Sequence, residues 1–253
     1  MVSLMVNEIF KNMNNPVYVL EQPKFSICSV VLVDTRLLPL TEGAHSNLDL
    51  LRAFSDVFFV FSEEFGIDNI DLEKFTSLYG GIAWTKGHLV GSTMFGALEY
   101  SVEIFKEHKI FLITDTNRLS EAVVDSEKIY NLALSDVFSP ILKISRLSPD
   151  ELYEIYRTEE EEKEWYRCFM YSRSPKLKTR LNSLYKSDSN IFFFKIGIIK
   201  QLVNYLKDKK FKDYVETFTE DDMSYLFASY IKYLGIENIN SSLENVNYGG
   251  KTV

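Results

Sequence analysis

The sequence predicts an α/β fold in which helices flank a partly parallel sheet. Two short apolar runs, residues 25–33 and 109–114, have the length and composition of buried strands. Segments with helical periodicity and clear start and stop signals lie between and after these runs. Strands that alternate with helices of about 10 to 20 residues favour parallel pairing, because each parallel pair needs a crossover connection.

The first half of the chain contains the clearest helix signal. Ser46 is a capping residue, and Gly66 is a candidate for the left-handed residue that follows a helix. Between them, apolar residues recur every three or four positions, at Leu51, Phe54, Phe58, Phe61 and Phe65. We therefore predict one long helix from Ser46 to Phe65, then a short helix over residues 71–79. The glycine-rich residues 80–96 are interpreted as a hairpin or irregular connection into a helix that ends near His108.

The second half begins with a polar loop after Asp115 and then adds further strands and helices. Strands are expected at residues 138–145, 165–171 and 190–196. Helices are expected near residues 125–134, from Ser148 onward, and over residues 198–208 and 220–234. We divide the chain into an N-terminal lead-in (1–24), a single α/β domain (25–237) and a flexible tail (238–253).

Composition excludes several classes of protein. The chain has 253 residues, of which 46% are hydrophobic, and this is enough for one sizeable core. Its net charge of −8 argues against a general nucleic-acid coat or a basic membrane-binding protein. No apolar run approaches the roughly 18 residues that span a membrane, and the pattern of a secretory leader is missing. We expect a cytoplasmic protein in which Cys28 is a buried, inert thiol.

The motifs of several enzyme classes are missing from the sequence. There is no P-loop, no G-x-G-x-x-G after a strand and no G-x-S-x-G. A Rossmann-like small-molecule enzyme is therefore disfavoured, because this chain lacks the glycines that bind phosphate in such enzymes. His45, His88 and His108 stand alone in the sequence, and each is expected to be a surface or structural histidine rather than a metal ligand.

Carboxylates form the one constellation that suggests chemistry. The two apolar runs lead into Asp34 and Asp115. If these strands are parallel neighbours, both carboxylates emerge at the same edge of the sheet, where their repulsion favours a divalent cation. A set of oxygen ligands suits Mg²⁺ or Mn²⁺, and Asp222 in the first turn of the last helix is a candidate third ligand. The alternative is that these aspartates cap the turns and helices that follow them.

A local basic segment lies within this acidic chain. Residues 173–186 contain no acid and five cations, namely Arg173, Lys176, Lys178, Arg180 and Lys186. Tyr171 lies just before the segment and Tyr185 near its end, so the segment is predicted to bind a phosphate backbone while the tyrosines stack on bases. The competing interpretation is a solvated basic loop that balances the run of glutamates just before it.

The order of these pieces resembles the NurA-type nucleases of archaea. The strand that ends at Val33-Asp34-Thr35 is similar to the first strand of that family, which ends in Asp-Gly-Ser. Residues 114–118 resemble its acid-containing loop, residues 191–195 its later aromatic strand, and residues 220–234 its closing helix. The glycine and serine of the first motif are missing, no acid follows the aromatic strand at the expected spacing, and the closing helix lacks the family's Pro-Leu and His.

The resemblance implies an RNase H-like mixed sheet flanked by helices. It also implies a Mn²⁺- or Mg²⁺-dependent nuclease that acts on DNA rather than RNA, with an ATPase partner, and we add a homodimer as an expectation. Asp34, Asp115 and Asp222 are then the catalytic metal ligands that activate water against a phosphodiester. One topological feature departs from the resemblance, because an RNase H-like enzyme follows its first aspartate with a β-hairpin and this chain is predicted to continue into a helix.

A second hypothesis is a non-enzymatic interaction protein. It would be an adaptor of a nucleic-acid machine, or a viral or plasmid protein, that keeps an α/β fold and docks through its aromatic residues. A large contiguous apolar patch away from Asp34 would favour this adaptor, whereas convergence of three carboxylates would favour the enzyme.

Overall fold

Strands and helices alternate through the first half of the chain. The structure is a computed structural model that describes residues 17–19, 22–66, 70–104, 108–122, 124–125, 127, 129, 144–148, 150, 185–187, 190–207 and 225–228. The strands are β1 (Val17–Val19), β2 (Ile27–Val33), β3 (Asp56–Ser62), β4 (Ala83–Gly87), β5 (Ile110–Asp115), β6 (Ile144–Arg146), β7 (Tyr185–Ser187) and β8 (Phe192–Lys195). The helices are α1 (Glu42–Phe54), α2 (Leu72–Tyr79), α3 (Val90–Ile104), α4 (Thr116–Glu121) and α5 (Ile196–Leu206).

The main sheet has the strand order β1-β4-β3-β2-β5-β8. Its four central strands are parallel, and the two outer strands, β1 and β8, pair antiparallel with their neighbours. A separate antiparallel pair is formed by β6 and β7. The parallel centre follows from the helices that connect its strands, since a helical crossover returns the chain in the same direction.

Helices cover both faces of this sheet. On one face α3 and α5 pack against alternate strand residues such as Phe58 and Phe111. On the other face α1, α2 and α4 pack against residues of the opposite parity, such as Phe59 and Leu112. The central strands are therefore buried on both sides, which is why they read in the sequence as continuous apolar runs.

The topology of the sheet is not RNase H-like. After β2 the chain passes through α1 and returns as β3, parallel to β2, where that fold has a β-hairpin. The chain then adds β4 outside β3 and crosses back through α3 to place β5 on the other side of β2. This order is that of a doubly wound, Rossmann-like sheet. The RNase H-like fold and the resemblance to NurA-type nucleases are therefore wrong, whereas an α/β fold with a mixed sheet flanked by helices is confirmed.

The predicted long helix is wrong in its second half. Helix α1 ends at Phe54, and Asp56–Ser62 form β3, which pairs with strands on both sides and is buried throughout. Its interior residues are all β-branched or aromatic, which suits a central parallel strand. The helical spacing of Phe58 and Phe61 arises because a continuous apolar run satisfies any period. The start of the helix also differs, since Thr41 is the residue that caps α1.

The glycine-rich segment contains a parallel strand, β4, and not the predicted hairpin. The expected polar loop after Asp115 is helix α4. Other predictions are confirmed: the runs at residues 25–33, 109–114 and 190–196 contain β2, β5 and β8, and α2 and α5 match two predicted helices. The predicted helix from Ser148 onward falls almost entirely outside the described residues, as do the strand at residues 165–171 and the tail.

The predicted lead-in contributes a strand to the sheet. Val17–Val19 form β1, which pairs with β4 at the edge. Farther along, the backbone amides of Lys24 and Phe25 donate to the carboxylate of Asp56 at the start of β3. Across the part of the chain that the structure describes, no helix is long and apolar enough to cross a membrane.

Candidate ligand site at the carboxyl edge of the sheet

Asp34 and Asp115 emerge at the same edge of the sheet, as the sequence predicts. Strands β2 and β5 are parallel neighbours, and Leu32 is the partner of Asp115 in their register. Asp34 lies just beyond Leu32, so strand spacing and rise separate the two aspartate Cα atoms by roughly 8 Å. This edge is also where the strand order reverses direction, with β3 on one side of β2 and β5 on the other. In open α/β sheets, ligands bind in the crevice at such a switch point.

Asp34 caps the turn that follows β2. Its Oδ1 accepts hydrogen bonds from the backbone amide of Arg36 at 3.0 Å and from its Nε at 2.9 Å, and its Oδ2 accepts from a guanidinium NH₂ group at 2.7 Å. The side-chain hydrogen bond from Arg36 lowers the pKa of Asp34 and outweighs the burial that raises it. The guanidinium lies 4.8 Å from the centre of the Phe65 ring. Arg36 is thus held at the edge while its side chain stays 63% exposed.

Asp115 plays the same part for β5. Its Oδ1 accepts from the backbone amide of Arg118 at 2.7 Å, which caps α4, and its Oδ2 lies 3.2 Å from the Nε of Arg118. The guanidinium of Arg118 lies 5.7 Å from the centre of the Phe192 ring. The two strand ends are also tied directly, because the backbone amide of Asp34 donates to Thr116 Oγ1 at 3.0 Å.

The capping alternative describes both aspartates, and each carboxylate is also neutralised by its own arginine. The repulsion that was expected to recruit a divalent cation is therefore already offset. Among the described residues, no group of three or more His, Cys, Asp and Glu side chains is arranged to hold a metal ion. A metal centre made by Asp34 and Asp115 stays a prediction.

Most of the other predicted site residues lie outside the described part of the chain. Asp222 is one of them, as are the four basic residues Arg173, Lys176, Lys178 and Arg180. Lys186 lies half-buried on β7. Tyr185, which was expected to stack on bases, is buried in the core, so its ring does not face a ligand at the surface.

The ends of β3 and β4 add an acidic group to the same edge. Glu64 Oε2 accepts from the backbone amide of Val90 at 2.6 Å and so satisfies the start of α3. Glu63 Oε2 lies 2.6 Å from His88 Nδ1, and this hydrogen bond raises the pKa of the exposed His88. A carboxylate already occupies the helix N-terminus at which an anion would bind. The segments that follow β2 and β5, which carry Arg36 and Arg118, therefore form the part of this edge that suits a phosphate.

Sequence analysis did not identify one polar residue at this edge, Asn190. Asn190 is 8% exposed and precedes β8, next to the end of β5. Its backbone carbonyl accepts from Thr114 Oγ1 at 2.7 Å. Its side-chain amide nitrogen is buried and finds no hydrogen-bond partner in the described structure. No motif marks this asparagine, and the only hint was its position in front of a buried aromatic strand.

The opposite edge of the sheet has a different character. Asp56 and His108 form a buried pair, with 2.8 Å between Asp56 Oδ2 and His108 Nε2. Asp56 also lines an open groove of ≈ 700 Å³ to which Lys24, Arg52 and Glu73 contribute. His108 is the structural histidine that was expected. Cys28 is buried beside this pair, as predicted, and burial raises the pKa of its thiol. A raised pKa disfavours the reactive thiolate, so an inert thiol stays the prediction.

No family model matches this chain, and no curated protein matches it either. Among solved structures, the chain is similar to a 4-diphosphocytidyl-2C-methyl-D-erythritol synthase, with a TM-score of 0.43, 11% identity and coverage of 84% of this chain and 86% of the synthase. It is also similar to the same synthase from Anaerococcus prevotii DSM 20548, with a TM-score of 0.43, 14% identity and coverage of 82% and 84%. Similarity at this level does not identify the family of this chain.

The nuclease hypothesis is wrong. It depended on an RNase H-like sheet, and β2, β3 and β4 are parallel strands joined through helices. The assignment of the chain as a hydrolase of DNA falls with the fold on which it rested, although the predicted strand-end aspartates lie where the sequence placed them.

Proposed function

We propose that this chain binds a nucleotide, or a closely similar phosphorylated small molecule, at the carboxyl edge of β2 and β5. The observation that supports this proposal is the parallel order β4-β3-β2-β5, which makes the junction of β2 and β5 a switch point. Directly after each of these two strands, an arginine is fixed by the aspartate at the strand's end. Crevices at such points are the usual ligand sites of doubly wound sheets.

Arginine side chains replace the glycine loop in this proposal. In a glycine-rich site, backbone amides at a helix N-terminus hold the phosphates. Here the turn after β2 has no such glycines, and Glu64 satisfies the start of α3. A guanidinium matches two phosphate oxygens with parallel N–H donors, so Arg36 and Arg118 supply the charge and geometry that the backbone does not.

A divalent cation fits this site as a companion of the ligand. Mg²⁺ is commonly held by one or two carboxylates together with substrate phosphates, and it keeps several waters. Asp34 and Asp115 are two carboxylates on adjacent strand ends, which is a sufficient protein contribution for that kind of binding. We therefore retain Mg²⁺ or Mn²⁺ as the expected ion, with these two aspartates as its ligands. It is expected to strengthen nucleotide binding rather than to bind alone.

Arg36→Met is expected to weaken nucleotide binding at least tenfold, because it removes an exposed guanidinium from the phosphate site. Binding of ATP, CTP, GTP, UTP and inorganic phosphate is measured by calorimetry, with MgCl₂, with MnCl₂ and with EDTA. Met keeps the length and apolar stem of the arginine, and Asp34 keeps its hydrogen bond from the Arg36 backbone amide. The fold is therefore expected to survive the change.

Arg52→Met is the matched control. Arg52 is 41% exposed and pairs with Asp49 on α1, but it lines the groove at the opposite edge of the sheet. If the proposal is right, this variant binds nucleotide like the wild type. If Arg52→Met loses nucleotide binding and Arg36→Met keeps it, the nucleotide binds in that groove and not at the proposed site. Failure of every nucleotide to bind the wild type would refute the proposed function.

The adaptor hypothesis stays a prediction. The large exposed hydrophobic residues of the described structure lie on separate segments: Phe25 before β2, Leu37 in the turn after β2, Leu50 on α1 and Leu78 on α2. The basic segment at residues 173–186 likewise stays a predicted contact for nucleic acid, together with the expected ATPase partner and homodimer.

A further inference from the structure

We infer that Asn190 is a specificity-determining residue that recognises a ribose hydroxyl of the bound nucleotide together with Asp115. This inference rests on the proposed function and names the ribose as the part of the ligand that is bound at this end of the crevice. It starts from a buried amide whose donors are not used by the fold. A buried donor without a partner costs free energy, so its presence beside a candidate ligand site calls for a functional explanation.

Continuing the register of β5 and β8 by two residues sets Asn190 opposite Asp115. Ile113 is the partner of Phe192 in this antiparallel pair, so the next residues on the same face are Asp115 and Asn190. Alternation continues past the last paired residue, because Ile191 packs with Phe193 on the opposite face. Side chains directly opposite one another in an antiparallel pair have Cβ atoms about 5 Å apart. The side chains of Asn190 and Asp115 are therefore expected on the same face of the sheet, at the end of β5.

The chemistry of this pair selects a hydroxyl group. The amide nitrogen of Asn190 can only donate, and the ionised carboxylate of Asp115 can only accept. A phosphate oxygen placed between the amide and the carboxylate, without the Arg118 guanidinium between it and Asp115, would be repelled, whereas a hydroxyl accepts from the amide and donates to the carboxylate at the same time. A carboxylate accepts about four hydrogen bonds in all, so Asp115 has the capacity for this contact in addition to those from Arg118. The ribose is the part of a nucleotide that carries neighbouring hydroxyls.

The test compares ATP, CTP, GTP and UTP with their 2′,3′-dideoxy counterparts, in the wild type and in Asn190→Leu. We expect the wild type to bind a ribonucleotide about tenfold more tightly than the dideoxy form. Asn190→Leu is expected to lower ribonucleotide affinity by a similar factor and to leave dideoxynucleotide affinity unchanged. Equal affinity of the wild type for both forms, or an unchanged preference in the variant, would overturn the inference while leaving nucleotide binding intact. Failure of both forms to bind would reject the proposed function itself.

Thermal stability separates recognition from a structural role. Leucine is close in shape to asparagine, so removing an unpartnered buried amide is expected to leave the melting temperature unchanged or to raise it. Asn47→Leu is the matched control, because the Asn47 amide donates to the carbonyls of Leu119 and Ala122 at 2.8 and 2.9 Å. That control is expected to lower the melting temperature. An equal loss in Asn190→Leu would show that its amide is bonded within the fold and would overturn the inference.

Discussion

Asp56→Ala is expected to destabilise the fold by about 3–5 kcal/mol, because it removes one partner of a buried ion pair. The side chains of Asp56 and His108 are 1% and 0% exposed. The same carboxylate accepts hydrogen bonds from the backbone amides of Lys24 and Phe25 at 2.9 to 3.0 Å. Alanine removes the acceptor that these donors share, and the connection from β1 into β2 loses its hydrogen bonds to β3. Urea unfolding measures the loss.

Asp49→Ala is the control for this prediction. Asp49 is also an aspartate paired with a histidine and an arginine, but its side chain is 53% exposed on α1. Exposed ion pairs contribute little, so the change is expected to stay within about 1 kcal/mol of the wild type. Similar losses in the two variants would show that burial of the Asp56–His108 pair does not decide its contribution.

The pH dependence of stability follows from the same carboxylate. Burial raises the pKa of Asp56, but the hydrogen bonds from His108 and from the Lys24 and Phe25 amides outweigh it and hold the pKa below the ordinary value of 3.8. A lowered pKa means that the folded state binds the proton less readily than the unfolded chain does. The contribution of Asp56 is therefore complete above pH 4 to 5 and is lost as the pH falls through the folded-state pKa. Asp56→Ala is expected to flatten the acid limb of the stability profile.

Sequence patterns predicted the fold correctly where an apolar run corresponds to a single strand or helix. The strands at residues 25–33 and 109–114 were found because an apolar run of that length, followed by a polar residue, suits a buried strand. The pattern failed between Leu51 and Phe65, where a helix and a central strand lie almost directly in sequence. A run such as Val57–Phe61 has apolar residues at every position, so its spacing cannot distinguish the two.

The candidate site was predictable only at the level of position. The parallel pairing of β2 and β5 places Asp34 and Asp115 together, as the sequence indicated. The contacts of the two carboxylates could not be predicted in the same way. Arg36 lies two residues after Asp34 and Arg118 three residues after Asp115, so each arginine side chain reaches the aspartate that caps its own turn. Asn190 could not be found from the sequence, because its position near the end of β5 arises from the pairing of β5 with a strand far along the chain.

Gly81→Ala is expected to cost about 2–5 kcal/mol, from backbone strain and steric overlap together. Gly81 has φ +116°, in a region that residues with a side chain rarely adopt. An added Cβ would also lie 2.7 Å from Cε2 of Phe59. Phe59 is fully buried and packs edge-on against Phe75 at 5.0 Å, so a shift of its ring would disturb that packing. The close approach of the chain before β4 to the face of β3 therefore requires glycine.

Gly66→Ala separates the two terms of this cost. Gly66 also has a positive φ, of +77°, but the nearest atom to an added Cβ is Thr35 Oγ1 at 3.9 Å, which is ordinary contact. Only the backbone term applies there, so we expect about 1–2 kcal/mol. Urea unfolding of both variants gives the difference that is due to Phe59. If Gly81→Ala loses no more stability than Gly66→Ala, the ring of Phe59 yields to the new methyl group, and the packing of α2 on this face is looser than its contacts indicate. A larger loss at Gly81 that Phe59→Leu in the same chain relieves would trace the strain to that one contact.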